Sequence, residues 1–277
     1  MSISFPADQQ KAAVWNNYHA GHPSRVPVLV YTNPRVVIQN EAWNPDGITF
    51  KQTFEDPEIH IRVSLMHQLY RRQVIHKYCD YPTALPERWQ ADLMIYNVYE
   101  AACLGADLAF HDDQVPDTLP WLLGDQKEAV FDLNINHPLE WPFIKRFLAF
   151  WDEMKKITKG MTFEGRPVDL APWCLMGSDG PVTVACNLRG TEFLMDLHED
   201  PDYADRLMNW ILDASINRRQ AMLQYWGNQV VAGSGFADDS AAMLSPAMYR
   251  QRIVPIHRRW YESTFAPEQS RGIHMCG

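Results

Sequence analysis

Residues 167–198 read PVDLAPWCLMGSDGPVTVACNLRGTEFLMDLH. The first nine residues are suited to a buried strand, and the turn signal Gly177-Ser-Asp-Gly-Pro follows them. Apolar residues then recur at helical spacing, so we predict a strand over 167–175, a loop, and a helix over 181–198. A strand followed by a loop and a helix is the repeating unit of a parallel sheet, so this stretch favours an α/β fold.

The same alternation continues towards the C-terminus. Asp200-Pro201 supplies a cap and a first turn for the longest periodic segment of the chain. Pro255 lacks a backbone donor and predicts a kink in the helix that contains it. In order, we expect a helix over 201–226, a strand and loop over 229–239, a helix over 245–265 and a last strand over 271–276.

The N-terminal half contains the same kinds of element in a less regular order. We expect helices over 7–20, 57–77, 91–104 and 138–159, a short buried strand over 25–31, a strand over 106–113 and a short strand around 129–134. The fold class predicted is α/β, a (β/α)8 TIM-barrel-like fold. A closed barrel has eight strands, whereas about five or six are countable here and the chain stops at Gly277 directly after one. We therefore expect a single barrel domain over 1–277 that is truncated at its C-terminus after about strand 5 or 6.

Composition and charge restrict the classes of partner. The 277 residues are 46% hydrophobic and 21% charged, which is typical of a globular chain with a sizeable core. The net charge is −9 and the basic residues are scattered, so we expect no nucleic-acid partner. There is no N-terminal leader pattern and no apolar run of about 18 residues, so we expect no membrane partner and a cytoplasmic location. The five cysteines are an odd number and widely spaced, which predicts reduced thiols.

His274 and Cys276 are candidate metal ligands. Alternate residues of a strand point to the same side, so the imidazole and the thiol of the last strand would face the same way. Both groups are preferred ligands of zinc, and a third ligand would come from elsewhere in the fold, with Cys174 as one option. The alternative is a buried histidine beside a structural cysteine, because free cysteine is among the most buried residue types.

Asp238, Asp239 and His111 are candidate catalytic residues. The two adjacent aspartates follow a predicted strand, where they can bind a metal or act as acid and base, because close like charges separate their pKa values. His111 ends an earlier strand together with Asp112 and Asp113 and is suited to proton transfer or to binding a substrate carboxyl. Helix capping and solvation of the loops are the alternative interpretation for both groups.

Arg25, Arg35, Trp173 and Tyr249 are candidate substrate-binding residues. The two arginines flank the first predicted strand and could pair with substrate carboxylates, whereas Trp173 and Tyr249 could line a pocket for an organic substrate. The alternative is that the arginines are ordinary surface residues and the aromatic side chains are part of the core. The partner expected from these residues is a small-molecule substrate.

Three segments carry a resemblance to a known superfamily. They are Gly180-Pro-Val-Thr-Val-Ala-Cys-Asn-Leu-Arg-Gly, the block from Asp238 through Ser245-Pro246 to Pro255, and Gly272-Ile-His-Met-Cys-Gly. Their sequence and order resemble the uroporphyrinogen decarboxylase and corrinoid (cobalamin)-dependent methyltransferase superfamily, closer to its zinc-binding methyltransferase branch. The resemblance implies a TIM barrel with its active site at the C-terminal mouth of the barrel.

The two branches of that superfamily imply different chemistry. In the methyltransferase branch an H-x-C pair and a later cysteine bind zinc, and a thiol accepts a methyl group from a methyl-corrinoid partner protein. The resemblance implies that His274 and Cys276 are zinc ligands, while the later cysteine has no counterpart within 1–277. The decarboxylase branch uses no metal, and arginines hold the propionates of its substrate. Its M-R-Q-A-G-R segment has no counterpart near Tyr31-Thr-Asn-Pro-Arg35.

The leading hypothesis is therefore zinc-dependent methyl transfer from a methyl-corrinoid protein to a thiol or a similar small acceptor. The first alternative is a cofactor-free uroporphyrinogen-type decarboxylase of porphyrin biosynthesis. The second alternative is a non-catalytic binding protein that keeps the barrel fold without its chemistry.

Overall fold

A computed structural model describes residues 6–112, 114–172, 178–227, 236–265 and 271–276. The chain divides into two compact units, and each is described by itself below. The first unit consists of Met1–Met94, Phe110–Val115 and Phe150–Ala171, and the second consists of Ile95–Ala109, Pro116–Ala149 and Pro172–Gly277. The expectations of a single barrel domain over 1–277 and of a C-terminal truncation stay predictions.

The secondary structure is rich in helices, and its strands are short. The α-helices are α1 Pro6–His19, α2 Arg35–Ile38, α3 Phe50–Glu55, α4 Pro57–Gln73, α5 Tyr99–Cys103, α6 Pro142–Ile157, α7 Pro181–Arg189, α8 Glu192–Glu199, α9 Pro201–Tyr225, α10 Pro246–Met248 and α11 Val254–Thr264. The strands are β1 Trp89–Ala91, β2 Leu108–Ala109, β3 Asp117–Thr118, β4 Thr162–Phe163, β5 Arg166–Leu170, β6 Ser178–Asp179, β7 Phe236–Ala237 and β8 Ile273–His274. Among the described residues, no helix combines the length and the apolar character that crossing a membrane requires.

The first unit is built around α4 and the strand pair β1 and β5. The helix begins where the sequence predicts, because the Asp56 carboxylate accepts hydrogen bonds from the backbone N–H groups of Glu58 and Ile59, and Pro57 occupies the first turn. The side chains of Ile61 and Leu65 are fully buried on its inner face. Strand β1 pairs in parallel with β5, and β4 forms an antiparallel hairpin with β5.

The second unit contains a small parallel sheet in the order β6, β7, β8. Its register aligns Asp179 with Ala237, and Ala237 with His274. Helices α7, α8 and α9 lie between β6 and β7 in the sequence, and α10 and α11 lie between β7 and β8. The parallel pairing predicted from the alternation of strands and helices is confirmed for β6, β7 and β8, whereas β2, within the strand predicted over 106–113, pairs antiparallel with β3. The structure also confirms helix 201–226 as α9, with Asp200 accepting a hydrogen bond from the Tyr203 N–H group.

The strand predicted over 25–31 is wrong. These residues form no strand, and the side chains of Val26, Val28, Leu29 and Tyr31 are between 51% and 86% exposed. Pro27 has no N–H group to donate to a neighbouring strand, and the N–H group of Val28 donates to the Asp80 carboxylate. The apolar run therefore lies in an extended segment whose side chains are not packed in the core.

Three further predictions of secondary structure need correction. The helix predicted over 91–104 is reduced to a 3₁₀ helix over Tyr96–Val98 followed by α5, because β1 occupies Trp89–Ala91 and Tyr96 has a positive φ of 57°. The strand predicted around 129–134 is a 3₁₀ helix over Ala129–Asp132. The helix predicted over 181–198 is divided into α7 and α8 at Gly190, which has a φ of 68°. The kink expected at Pro255 takes the form of a π-helical turn over Tyr249–Ile253.

A buried ion pair joins α5 to α9 in the core of the second unit. The guanidinium of Arg218 donates two hydrogen bonds to the two carboxylate oxygens of Glu100, and both side chains are almost completely buried. Burial acts to lower the pKa of Arg218, but the Glu100 carboxylate outweighs burial and raises that pKa. Burial also raises the pKa of the neighbouring Cys103 thiol to about 12, so this cysteine stays protonated.

Removing one partner of this pair should destabilise the fold. Arg218→Met leaves the Glu100 carboxylate buried without its counter-ion, so we expect the free energy of unfolding to fall by about 3–5 kcal/mol. The double variant Glu100→Gln/Arg218→Met should regain most of that loss, because no charge is left unpaired. Urea unfolding curves measure both effects.

The exposed pair of Arg206 and Glu128 provides the matched control. Arg206→Met should cost less than about 1 kcal/mol, because exposed ion pairs contribute little. If Arg206→Met and Arg218→Met lost equal amounts of stability, burial would not explain the contribution of the Arg218–Glu100 pair to the free energy of unfolding.

Candidate metal centre

The polar residues of the second unit gather where β6, β7 and β8 end. Strand β6 ends at Asp179, Asp238 and Asp239 follow β7, and Cys276 lies two residues after the end of β8. Because the three strands are parallel and neighbours, their C-terminal ends lie at the same edge of the sheet, where the active sites of α/β barrels are built. The backbone keeps this edge together, since the N–H group of Asp238 donates to the carbonyl of His274 at 3.0 Å.

Asp239, His274 and Cys276 form a cluster of candidate ligands, called the metal cluster below. One carboxylate oxygen of Asp239, one ring nitrogen of His274 and the sulfur of Cys276 all lie within 4.8 Å of one another. The His274 Nε2 atom lies 2.7 Å from the Cys276 sulfur and 3.8 Å from Asp239 Oδ1. The backbone N–H group of Cys276 donates to Asp239 Oδ1 at 2.7 Å, which fixes the carboxylate beside the other two groups.

His274 and Cys276 were interpreted from the sequence either as metal ligands or as a buried histidine beside a structural cysteine. The structure brings the two side chains together at the end of β8, as their spacing in the sequence predicts. Both residues are exposed, which disfavours the alternative of a buried histidine beside a structural cysteine. Their role as metal ligands stays a prediction. Cys174, the third ligand considered from the sequence, lies outside the described residues, and Asp239 provides the third ligand atom instead.

Asp238 and Asp239 are adjacent in the sequence but lie in different surroundings. The side chain of Asp238 is completely buried, and its Oδ1 atom accepts hydrogen bonds from the backbone N–H group of Thr183 at 2.8 Å and from the Thr183 hydroxyl at 3.0 Å. Its Oδ2 atom lies 2.8 Å from His257 Nε2. The side chain also lies directly against Gly180, where any Cβ atom would overlap it. Asp238 therefore has no surface on which a substrate could contact it in this conformation.

Asp179 has the most strongly perturbed carboxyl group of this sheet edge. Burial raises its pKa to about 7, and the neighbouring carboxylates of Glu100 and Asp239 act in the same direction. Because Asp179, Ala237 and His274 are in register on adjacent strands, their side chains leave the sheet on the same face. A carboxyl group with a pKa near 7 can both accept and release a proton under neutral conditions.

The other predicted site residues lie elsewhere. His111 is exposed and belongs to the first unit, and Trp173 lies outside the described residues. The Arg25 guanidinium, also in the first unit, forms a two-point ion pair with Asp80, whose pKa that contact lowers to about 2. Arg35 begins α2, and its Nε atom is buried without a hydrogen-bond partner among the described residues. The partner of Arg25 in the structure is therefore the carboxylate of Asp80. The substrate-binding roles of Arg25, Arg35 and Trp173 stay predictions.

Tyr249 lies close to Asp238 in the second unit. Its hydroxyl oxygen is 3.3 Å from His257 Nδ1, so Tyr249, His257 and Asp238 form one hydrogen-bonded series. His257 and Thr183 were not among the site residues predicted from the sequence. The one available signal was the position of His257 on the apolar face of α11, between the buried residues Ile256 and Trp260, where a polar side chain needs a partner.

The parallel strands of the second unit and the polar residues at their ends define an α/β protein with a site at the C-terminal edge of its sheet. The family model described as uroporphyrinogen decarboxylase (URO-D) matches residues 91–277, more than half of the chain. The chain therefore belongs to the uroporphyrinogen decarboxylase family, and the resemblance seen in its three sequence segments is confirmed.

Solved structures support the same fold. A methyltransferase from Methanosarcina mazei matches this chain with a TM-score of 0.58 and 17% sequence identity, over 96% of this chain and 70% of the other. At that identity the likeness shows the fold alone, which is of the TIM-barrel-like α/β type. No curated protein sequence matches the chain.

The raised pKa of Asp179 predicts how stability varies with pH. In the unfolded chain the carboxyl loses its proton near its ordinary value of 3.8, whereas in the folded chain it keeps the proton up to about pH 7. The folded state thus binds more protons between these values, and its stability falls as the pH rises through them. We expect Asp179→Asn to gain stability relative to the wild type as the pH rises from 5 to 7, by at most about 1.4 kcal/mol per pH unit, and the gain to level off towards pH 8.

Urea unfolding at pH 5, 6, 7 and 8 measures this difference. Asp169→Asn is a suitable control, because Arg88 lowers the pKa of Asp169 below 3.8 and the carboxyl is ionised throughout this range. The stability difference between Asp169→Asn and the wild type should therefore be constant from pH 5 to 8. If the stability difference between Asp179→Asn and the wild type were also constant from pH 5 to 8, the raised pKa of Asp179 would be contradicted.

Proposed function

We propose that this protein is a zinc-dependent methyltransferase that transfers a methyl group from a methyl-corrinoid partner protein to a thiol or a similar small acceptor. Asp239, His274 and Cys276 would hold the metal. The observation that carries the proposal is the meeting of three different ligand groups within 4.8 Å at the C-terminal edge of the parallel sheet. The structurally similar protein from Methanosarcina mazei is a methyltransferase, which supports the same class of chemistry.

The metal cluster has the composition of a zinc site. Imidazole, thiolate and carboxylate groups are all zinc ligands, and catalytic zinc sites combine three protein ligands with one open position. His274 and Cys276 are exposed, so a substrate can approach the cluster from solvent. When bound, zinc would lower the pKa of a thiol, so that the thiolate nucleophile forms at neutral pH.

The chain's own residues supply orientation and proton transfer. The N–H group of Cys276 holds the Asp239 carboxylate in place, and the pairing of β7 with β8 keeps Asp239 next to His274. The Asp179 carboxylate ends β6 at the same sheet edge and would accept the proton that an acceptor thiol releases. That transfer leaves a neutral carboxylic acid at Asp179 and a thiolate at the acceptor.

A cofactor-free decarboxylase is the second candidate. The family description favours it, since the matching model is named for uroporphyrinogen decarboxylase. Against it stands the ion pair of Arg25 with Asp80, which occupies one of the two arginines expected to hold substrate carboxylates. A non-catalytic binding protein is the remaining alternative from sequence.

Metal analysis tests the leading proposal. We expect one zinc per chain in wild-type protein that is loaded with zinc and then dialysed, and a stoichiometry near zero in His274→Ala and in Cys276→Ala, because each variant removes one of three ligands. Asp239→Ala should lose zinc in the same way. His22→Ala removes an exposed histidine of the first unit and should retain the wild-type zinc content. A wild-type protein without zinc, or variants with unchanged zinc, would remove the basis of the proposal.

Activity assays separate the candidate functions. Zinc-loaded protein that consumes methylcobalamin only in the presence of a thiol supports methyl transfer, and the loss of the methyl–cobalt bond is followed by visible absorbance. Metal-free protein that decarboxylates uroporphyrinogen supports the second candidate. Zinc-loaded protein that performs neither reaction supports the binding protein.

A further inference from the structure

The buried carboxylate of Asp238 lies directly behind the metal cluster. Asp238 precedes the candidate ligand Asp239, and its backbone N–H group donates to the carbonyl of the candidate ligand His274 at 3.0 Å. Any change in the position of Asp238 therefore moves the attachment points of two ligands at once. What holds Asp238 in place consequently determines where the ligands lie.

Three hydrogen bonds fix the Asp238 carboxylate. Thr183 donates through its backbone N–H group and through its hydroxyl to Oδ1, and His257 donates to Oδ2 at 2.8 Å. Thr183 lies in the first turn of α7, where backbone N–H groups have no partner within the helix, so Asp238 satisfies one of them from a distant segment. His257 lies in α11 and is 5% exposed.

We propose that His257 is a positioning residue for the metal cluster, which it orders through Asp238. The proposal rests on the metal site proposed above, because it names a residue that keeps the ligands of that site in place. The described hydrogen-bonded contacts of His257 are with Asp238 and Tyr249. Its effect would pass through the Asp238 carboxylate and the backbone of β7.

The hydrogen-bond pattern around His257 supports a fixed orientation of its ring. Donation from Nε2 to the carboxylate leaves Nδ1 of the neutral ring as an acceptor. The hydroxyl of Tyr249 lies 3.3 Å from Nδ1 and can donate to it. Both ring nitrogens thus have a polar partner, and rotation of the ring would break both contacts.

The neighbourhood of Asp238 gives its carboxylate little freedom to find other partners. The side chain is fully buried, and Gly180 lies so close that no larger residue fits there. If the His257 donor is removed, Oδ2 loses its hydrogen bond at a fully buried position, and the carboxylate must shift to regain one. A shift of Asp238 would also change the direction in which Asp239 leaves the strand.

Metal binding by the full chain tests the proposal, with Zn²⁺ and Co²⁺ as probes. His257→Leu should lower the Zn²⁺ affinity by about 10- to 100-fold, as measured by competition with a chromophoric chelator. It should also change the visible absorption of the Co²⁺-loaded protein, because that spectrum reports ligand geometry. His257→Gln, whose amide N–H can still donate to Asp238, should restore most of the affinity and the wild-type Co²⁺ spectrum.

His60 offers a matched control for the loss of a buried histidine. It is 4% exposed, lies in the first unit and donates or accepts hydrogen bonds only with backbone groups in the contacts described. His60→Leu should reduce stability without changing the Zn²⁺ affinity. All measurements are made below the unfolding temperature of each variant, which a thermal scan establishes first.

The outcomes separate this proposal from the proposed function. A wild-type protein that binds neither Zn²⁺ nor Co²⁺ overturns the metal site itself. A wild-type protein that binds metal while His257→Leu binds it equally well overturns only the positioning role, and so does equal loss in His257→Leu and His257→Gln. If His257→Leu does not fold, Tyr249→Phe replaces it. Removing that hydroxyl should lower the affinity roughly 2- to 10-fold, and an unchanged affinity counts against the proposal.

Discussion

The hydrogen bonds of one buried carboxylate, that of Asp238, connect the parts of the second unit that meet at the candidate site. A carboxylate that is buried away from solvent is stable only where protein groups donate hydrogen bonds to it. Here the donors come from the first turn of α7 and from α11, while its backbone N–H group bonds to β8. Within the described residues, β6, β7 and β8 are two residues long each. The side chain of Asp238 adds contacts with α7 and α11 to their backbone hydrogen bonds.

This arrangement explains why two adjacent aspartates can have different tasks. The side chain of Asp238 is directed into the protein and is fully occupied, which leaves it unsuited to contact with a substrate. Asp239 is partly exposed and bonds to the backbone of Cys276, so its carboxylate faces the ligand cluster. Successive residues at the end of a strand point to opposite sides, and this alternation separates a structural carboxylate from one that can bind a metal.

Sequence alone predicted α9 and the parallel pairing of β6, β7 and β8, because caps such as Asp200-Pro201 and long periodic segments are local signals. The pairing of His274 with Cys276 was also predictable from their spacing. The addition of Asp239 to that pair was not, since it depends on how β7 and β8 align. His257 could not be assigned a partner, because Asp238 is distant in the sequence. The strand predicted over 25–31 failed because apolar residues alone do not provide a neighbouring strand.

The electrostatics of the sheet edge favour a bound cation. Glu100, Asp179 and Asp239 bring carboxylates close together, and Arg218 is already engaged with Glu100 in a buried ion pair. Burial, together with the carboxylates of Glu100 and Asp239, raises the pKa of Asp179 to about 7, so this carboxyl can keep a proton near neutral pH. A divalent cation beside Asp239 would offset the same repulsion and would lower the pKa of Asp179. Metal binding would then release a proton from Asp179 and convert it into the carboxylate that proton transfer from a thiol requires.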